Sequence, residues 1–287
     1  MKLPDYLKED EIRRICRAAL EEDVATGDAT TLAIVPADAS VTARFVARKQ
    51  CVVAGLPVAQ TVFRMLDESV VFNSQMEDGD FCQAGQCMAT VSGHARAILT
   101  GERTALNFLQ RLGGIATLTR KYVEALGDSK TKLLDTRKTT PGLRLVEKYA
   151  VLCGGGQNHR IGLYDRIMIK DNHRELAKLL GPNSIAKAVE LCRKNYPNLE
   201  IEVEADCLAE VRAAADSSVE YILLDNMTNE QMAEAIRVIA GRAKTEASGN
   251  ITLERLPSLR NLGLDFVSSG ALTHSAPAVD IGLDMEL

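Results

Sequence analysis

The chain has 287 residues, of which 46% are apolar, 25% charged and 4% aromatic, with seven cysteines and no tryptophan. That length suits one large domain or two ordinary ones, and the composition excludes a disordered or fibrous chain. A net charge of -5 excludes a generally basic nucleic-acid or membrane-surface protein, while leaving room for a local pocket that binds an anion.

No window reaches the ~18 apolar residues of a membrane span, and the opening MKLPDYLKEDEIRRICRAAL is acidic and amphipathic rather than signal-like, so a cytosolic protein is expected. Cys16, Cys51, Cys82, Cys87, Cys153, Cys192 and Cys207 are odd in number and scattered, with no Cys-x-x-Cys pair. They read as reduced, mostly buried small hydrophobes, with structural disulfide or zinc ligation as the alternative.

In chain order, Leu7, Ile12, Ile15, Cys16, Ala19 and Leu20 recur at helical spacing. After the turn-rich EEDVATGDATT, the segment SVTARFVARK alternates as a strand; CVVAG, SVVFNSQM and CMATVSG are further strands. Between them stand the helical LPVAQTVFRML and the turn EDGDFCQAGQ. This first part predicts an α+β domain, one sheet backed by helices. A long helical region follows from about 94 to 126, with an interruption expected at Gly113-Gly114.

Beyond it, six short apolar runs alternate with helices: TKLLD (131–135), DRIMIK (165–170), LEIEVEA (199–205), VEYILLD (219–225), AKTEAS (243–248) and LDFVSSG (264–270). Such alternation means βαβ units and a parallel sheet. The last four runs recur about every 22 residues, as in a closed barrel or a doubly wound sheet. Six strands fall short of the usual eight, so either two lie hidden in 94–130 or the barrel is smaller. The stretch THSAPAVDIGLDMEL is too short for another unit and is expected to return to the first domain.

In a parallel βα barrel, polar residues at the C-terminal strand ends face the substrate. Those ends carry Asp135 with Arg137 and Lys138, then Lys170, Glu204, Asp225, Ser248, and Ser268 to Gly270. Residues 137–174 hold eight lysines and arginines against three acids, a local +5 in a chain whose remainder is -10. A solvated face accounts for Arg144, Lys148 and Arg174, which fall on predicted helices. It suits Arg137-Lys138 and His159-Arg160 less well. These stand in the loops TRKTTPG and CGGGQNHR, a composition that wraps a carboxylate or phosphate with bidentate donors and main-chain N–H groups.

Glu204 and Asp225 can hold Mg²⁺, bind sugar hydroxyls or work as an acid/base pair, or they can simply neutralise the arginines. Gly154-Gly155-Gly156 fits neither the Walker nor the Rossmann pattern. Ser248-Gly249-Asn250 and Ser269-Gly270 are better placed to offer N–H groups to a phosphate at a helix start.

Taken together, these stretches resemble the quinolinate phosphoribosyltransferase family, the carboxylating nicotinate-nucleotide pyrophosphorylases of NAD synthesis. The resemblance is carried by ERTALNFLQRLGGIAT (102–117), DTRKTTPGLRLVEKYAV (135–151), GGGQNHRIGLYDRIMIKDNH (154–173), EVEAD (202–206), LLDN (223–226), EASGNIT (246–252) and SSGALTHSAPAVD (268–280), with GDATT near residue 27. One departure is Gly113, where serine is more common. The resemblance implies an N-terminal α/β sandwich over residues 1–112, rejoined by the tail 271–287, and a six-stranded α/β barrel over 113–270. It also implies a homodimer, sometimes assembled further, in which Arg103 acts in the neighbouring subunit's site.

The implied reaction joins quinolinate to phosphoribosyl pyrophosphate. The resemblance assigns the quinolinate carboxylates to Arg103, Arg137, His159, Arg160 and, nearby, Lys138 and Lys170, counts Thr136 among the substrate-binding residues, and has Lys138 and Lys170 also neutralise the departing pyrophosphate. It gives the ribose hydroxyls and Mg²⁺ to Glu204 and Asp225, and the 5-phosphate to Ser248, Gly249, Asn250, Ser269 and Gly270. Three rivals stand beside it: a non-decarboxylating nicotinate-type transferase, an aldolase-type barrel with Lys170 as Schiff-base nucleophile, and a non-catalytic binder of a nucleotide or dicarboxylate.

Overall fold

The computed structural model describes residues 1–179, 181 and 183–286, which form two compact units. The first comprises residues 1–120, 139–155 and 272–287, and the second 121–138 and 156–271.

The first unit opens with α1 (Glu9–Val24) and α2 (Ala29–Ile34). The GDATT turn ends by starting α2, because the Asp28 carboxylate accepts the Thr31 N–H at 3.0 Å and caps the helix. There follow β1 (Ser40–Ala47), β2 (Cys51–Val52), α3 (Leu56–Leu66), β3 (Val71–Ser74), β4 (Phe81–Cys82) and β5 (Cys87–His94). Buried Asp78 accepts the N–H groups of Gly55 and Leu56 at 2.9 and 3.1 Å and the Tyr149 hydroxyl at 2.8 Å, which anchors the start of α3. Phe45, Phe63 and Phe72 meet at centroid separations of 5.9–6.5 Å in the core between sheet and α3.

Helix α4 (Ala95–Leu126) runs without a break through Gly113-Gly114, against the expected interruption. The two glycines serve close approach instead. A Cβ on Gly114 would strike the Pro277 carbonyl, and one on Gly113 would stand 2.9 Å from Val279 Cγ2. This clears the path of the returning tail, whose β12 (Ile281–Glu286) pairs antiparallel with β1. The resulting sheet has the order β12-β1-β5-β3.

After α4 come β6 (Lys132–Leu134), α5 (Arg144–Cys153), β7 (Ile167–Ile169), α6 (Asp171–Leu176), α7 (Ser184–Asn195), β8 (Ile201–Ala205), α8 (Leu208–Asp216), β9 (Tyr221–Asp225), α9 (Asn229–Ile239), β10 (Lys244–Ser248), α10 (Leu256–Leu259), β11 (Phe266–Ser268) and α11 (Ala271–His274). Each of the six predicted runs forms a strand. They make the parallel sheet of an α/β barrel in the order β6-β11-β10-β9-β8-β7, extended beside β6 by a parallel bridge from Leu134 to Gln157. Apart from His94, which ends β5 of the first sheet, the stretch 94–130 holds no strand, so the barrel is the smaller kind.

Helix α5 belongs to the first unit. The solvated-face reading fails there: Lys148 and Glu147 are fully buried, and Glu147 accepts from Arg111 at 2.9 Å. Arg144 Nε donates to Thr139 Oγ1 at 3.0 Å. In the barrel unit, Arg174 pairs with Glu210 at 2.7 Å rather than facing water. Among the described residues no helix is long and apolar enough to cross a membrane.

Candidate active site

Side chains along a strand alternate between its two faces, so the barrel interior receives every second residue. Met168 and Lys170 from β7 and its end, Glu204 from β8, Leu223 and Asp225 from β9, Glu246 and Ser248 from β10, and Ser268 from β11 line one cavity of about 600 Å³. Thr136, Arg137, Lys138, His159, Arg160, Asn226, Gly249 and Asn250 complete it from the loops.

The structure thus brings together the sequence-predicted site residues except Arg103, Ser269, Gly270 and the strand-end Asp135. Arg103 is exposed on α4 in the first unit, outside this lining. Ser269 is buried, giving its N–H to the Leu134 carbonyl at 3.1 Å and its hydroxyl to Ile251 O at 3.0 Å. Gly270 follows it, also outside the lining. No helix starts directly after Ser248-Gly249-Asn250, since α10 begins at Leu256. The phosphate-type feature there is a turn in which Gly249 and Asn250 both have positive φ, 84° and 52°. A Cβ on Gly249 would collide with Asn226 Oδ1. Arg255 ties this turn down by donating to the carbonyls of Gly249 at 3.0 Å and Met227 at 2.7 Å.

Cations dominate the loop side. Buried Asp135 does not face the cavity; it accepts Asn158 Nδ2 at 2.7 Å and the His159 N–H at 2.8 Å, fixing the loop that carries Arg160. Arg160 Nη1 reaches the Arg166 carbonyl at 3.0 Å. Burial, and then the charge of nearby Arg137, pulls the Arg160 guanidinium below its ordinary pKa. Two guanidiniums that repel each other in one cavity are relieved by an anion between them.

The acids stand on neighbouring strands. Glu200, Glu202 and Glu204 fall on one face of the β8 segment, and each meets a cation. Arg166 lies 3.6 Å from Glu200 and 3.8 Å from Glu202; Lys170 Nζ donates to Glu204. A lysine paired in this way lacks the apolar, desolvated surroundings of a Schiff-base nucleophile. Asp225 accepts Asn226 Nδ2 at 2.7 Å. Glu204 and Asp225 offer the hard oxygen donors that Mg²⁺ takes, at the open end of the barrel beside the cations.

Among the described residues, a tighter group of potential metal ligands lies deeper, where His159, Glu202 and Glu246 are all buried with ligand atoms within 4.8 Å of one another. Strand-end reasoning passed over Glu202 and Glu246. Their signal was an acid in the interior of a central strand, a place where acids are rare unless paired.

Residues 28–113 match the family model for the quinolinate phosphoribosyl transferase N-terminal domain, and residues 115–284 that for its C-terminal domain. The chain is 44% identical, over 93% of its length and 90% of the relative's, to a probable nicotinate-nucleotide pyrophosphorylase [carboxylating] of Synechocystis sp.. It is 40% identical to a protein of the same description from Bacillus subtilis, covering 96% and 94% of the two chains. The crystal structure of NadC from Streptococcus pyogenes superposes with a TM-score of 0.91 at 45% identity, over 98% of this chain and 99% of that one. The chain belongs to the quinolinate phosphoribosyltransferase family.

Proposed function

We infer that this chain joins quinolinate to phosphoribosyl pyrophosphate, releasing pyrophosphate and carbon dioxide and leaving nicotinate mononucleotide, a step of NAD biosynthesis. The observation that carries the reading is the opposition in one cavity of Arg137, Lys138, Arg160 and Lys170 to Glu204 and Asp225. Both substrates are polyanions, and the sugar passes through a cation.

Arg137 and Arg160 take the quinolinate carboxylates, orienting the ring nitrogen at the sugar's C1. The nitrogen–C1 bond forms as the C1–oxygen bond to pyrophosphate breaks. Lys138 and Lys170 neutralise the oxygens that gain charge, while Glu204 and Asp225 hold the ribose hydroxyls and face the oxocarbenium-like sugar. The turn 248–250 receives the 5-phosphate. Alkylation makes the ring nitrogen cationic, so loss of the adjacent carboxylate as carbon dioxide leaves a ring carbanion stabilised by that charge, which a proton then quenches. No dedicated base is needed.

Glu204 and Asp225 would also hold Mg²⁺, which would supply neutralising charge to the polyanionic substrate. The working form is a homodimer. Exposed Arg103, standing outside its own chain's cavity lining, is the residue contributed to the neighbour's site. The free cysteines support a reducing compartment, the cytosol; burial pushes the thiols of Cys16 and Cys51 up to about 12 and 11.

The test mixes protein, Mg²⁺, phosphoribosyl pyrophosphate and quinolinate and follows pyrophosphate and carbon dioxide, which should appear in equal amounts. Turnover of nicotinate with none of quinolinate would move the chain to the non-decarboxylating transferases.

A further inference from the structure

His159 lines the cavity, yet both of its ring nitrogens face the protein. Nδ1 accepts the main-chain N–H of Arg160 at 2.7 Å. Nε2 lies 2.9 Å from Glu202 Oε2 and 3.5 Å from Glu246 Oε2. The ring, 5% exposed, is clamped between the Arg160 backbone and two carboxyl groups that are themselves 0% and 1% exposed.

A buried carboxylate with no function costs stability, and an apolar residue would fill the same space more favourably. Glu202 stands between two cationic or basic side chains. On its far side Arg166 approaches to 3.8 Å and lies over the Tyr221 ring at 4.0 Å. On its near side stands the imidazole that holds Arg160. Glu246 shares the space on the same side, and burial, then the neighbouring Glu202, push its pKa up.

We propose that Glu202, supported by Glu246, is a positioning residue that acts through His159: it fixes the imidazole, and with it the Arg160 main chain, so that the Arg160 guanidinium meets the carboxylate of the pyridine substrate. His159 is the link in this chain. The proposal rests on the quinolinate reading of the cavity, since Arg160 must receive that carboxylate.

The test is steady-state kinetics on Glu202→Gln, His159→Asn and the double variant, varying each substrate separately, with thermal melts alongside. His159→Asn keeps an acceptor near the Arg160 N–H but no longer reaches Glu202. The expected result is a fall of about tenfold or more in kcat/KM for quinolinate, while KM for phosphoribosyl pyrophosphate changes less than about twofold and the double variant is no worse than the poorer single one. A merely structural role would lower both substrates' parameters together, and that outcome overturns the proposal, as do additive single effects. Should Glu202→Gln fail to fold, Glu202→Asp, which withdraws the charge by one methylene, carries the same selective expectation. Wild-type protein inactive on quinolinate would overturn the functional reading and the proposal with it; active wild type with unselective variants overturns the proposal alone.

Discussion

Lys170 and Glu204, at the ends of adjacent strands β7 and β8, form an ion pair across the mouth of the barrel, with side chains 39% and 17% exposed. A pair so exposed contributes little to stability, about 0–1 kcal/mol. Lys170→Met should therefore leave the melting temperature nearly unchanged while lowering kcat about 100-fold or more, because charge on the leaving pyrophosphate loses its partner. A large drop in melting temperature with modest loss of kcat would assign the lysine to structure.

Arg137→Ala should raise KM for quinolinate about 100-fold, as expected for a charge-assisted bidentate contact, with a much smaller effect on phosphoribosyl pyrophosphate. Substrate-varied kinetics decide it. Equal losses for both substrates would count against the assignment.

If Arg103 acts in the neighbouring subunit, Arg103→Ala and Arg137→Ala proteins are each nearly silent at quinolinate concentrations near the wild-type KM, yet together they recover activity. Half of the dimers formed after mixing are heterodimers with one intact site, so about a quarter of wild-type turnover returns. No recovery after unfolding and co-refolding would place Arg103 in its own chain's chemistry or outside it.

Gly114→Ala tests the contact between α4 and the tail. The added methyl would strike the Pro277 carbonyl, and overpacking of this kind costs about 1–3 kcal/mol. On an exposed helix surface the same change would stabilise. Denaturant melts give the sign directly.

Glu246 makes stability depend on pH in a set direction. Unfolded, its carboxyl titrates near 4.5; folded, burial and then Glu202 hold the proton well above that. The folded state thus binds more protons above pH 4.5, and stability falls as pH rises from there through the folded value. Glu246→Gln cannot titrate, so its melting temperature should fall less between pH 5 and 8 than that of the wild type. Parallel curves for the two proteins would refute this.

The barrel and its mouth were legible because a parallel sheet writes itself as apolar runs ending in polar residues, and Arg137, Lys170, Glu204 and Asp225 all stand at such ends. Gly113-Gly114 misled because glycine marks both a broken helix and a close approach; only the folded position of Pro277 and Val279 tells which. Lys148 misled for a related reason. A lysine at helical spacing reads as solvated, whereas the packing of α5 within the first unit buries it. The scaffolding of the site was less visible still. Asp135, Glu202 and Arg255 act on the loops carrying the ligand-facing groups, and no local pattern announces a partner brought near only by closure of the barrel.

The pairing of β12 with β1 has a consequence for how the chain is made. Residues 40–47 leave the ribosome with β5 soon available on one side, but the strand that covers the other side is 281–286. At ordinary rates of translation the interval is on the order of ten seconds or more, and throughout it an eight-residue strand presents an uncovered edge to any neighbouring nascent chain. Slower elongation through the barrel lengthens that exposure, so yield of native protein should depend on translation speed and chaperone supply more than on the stability of the finished fold.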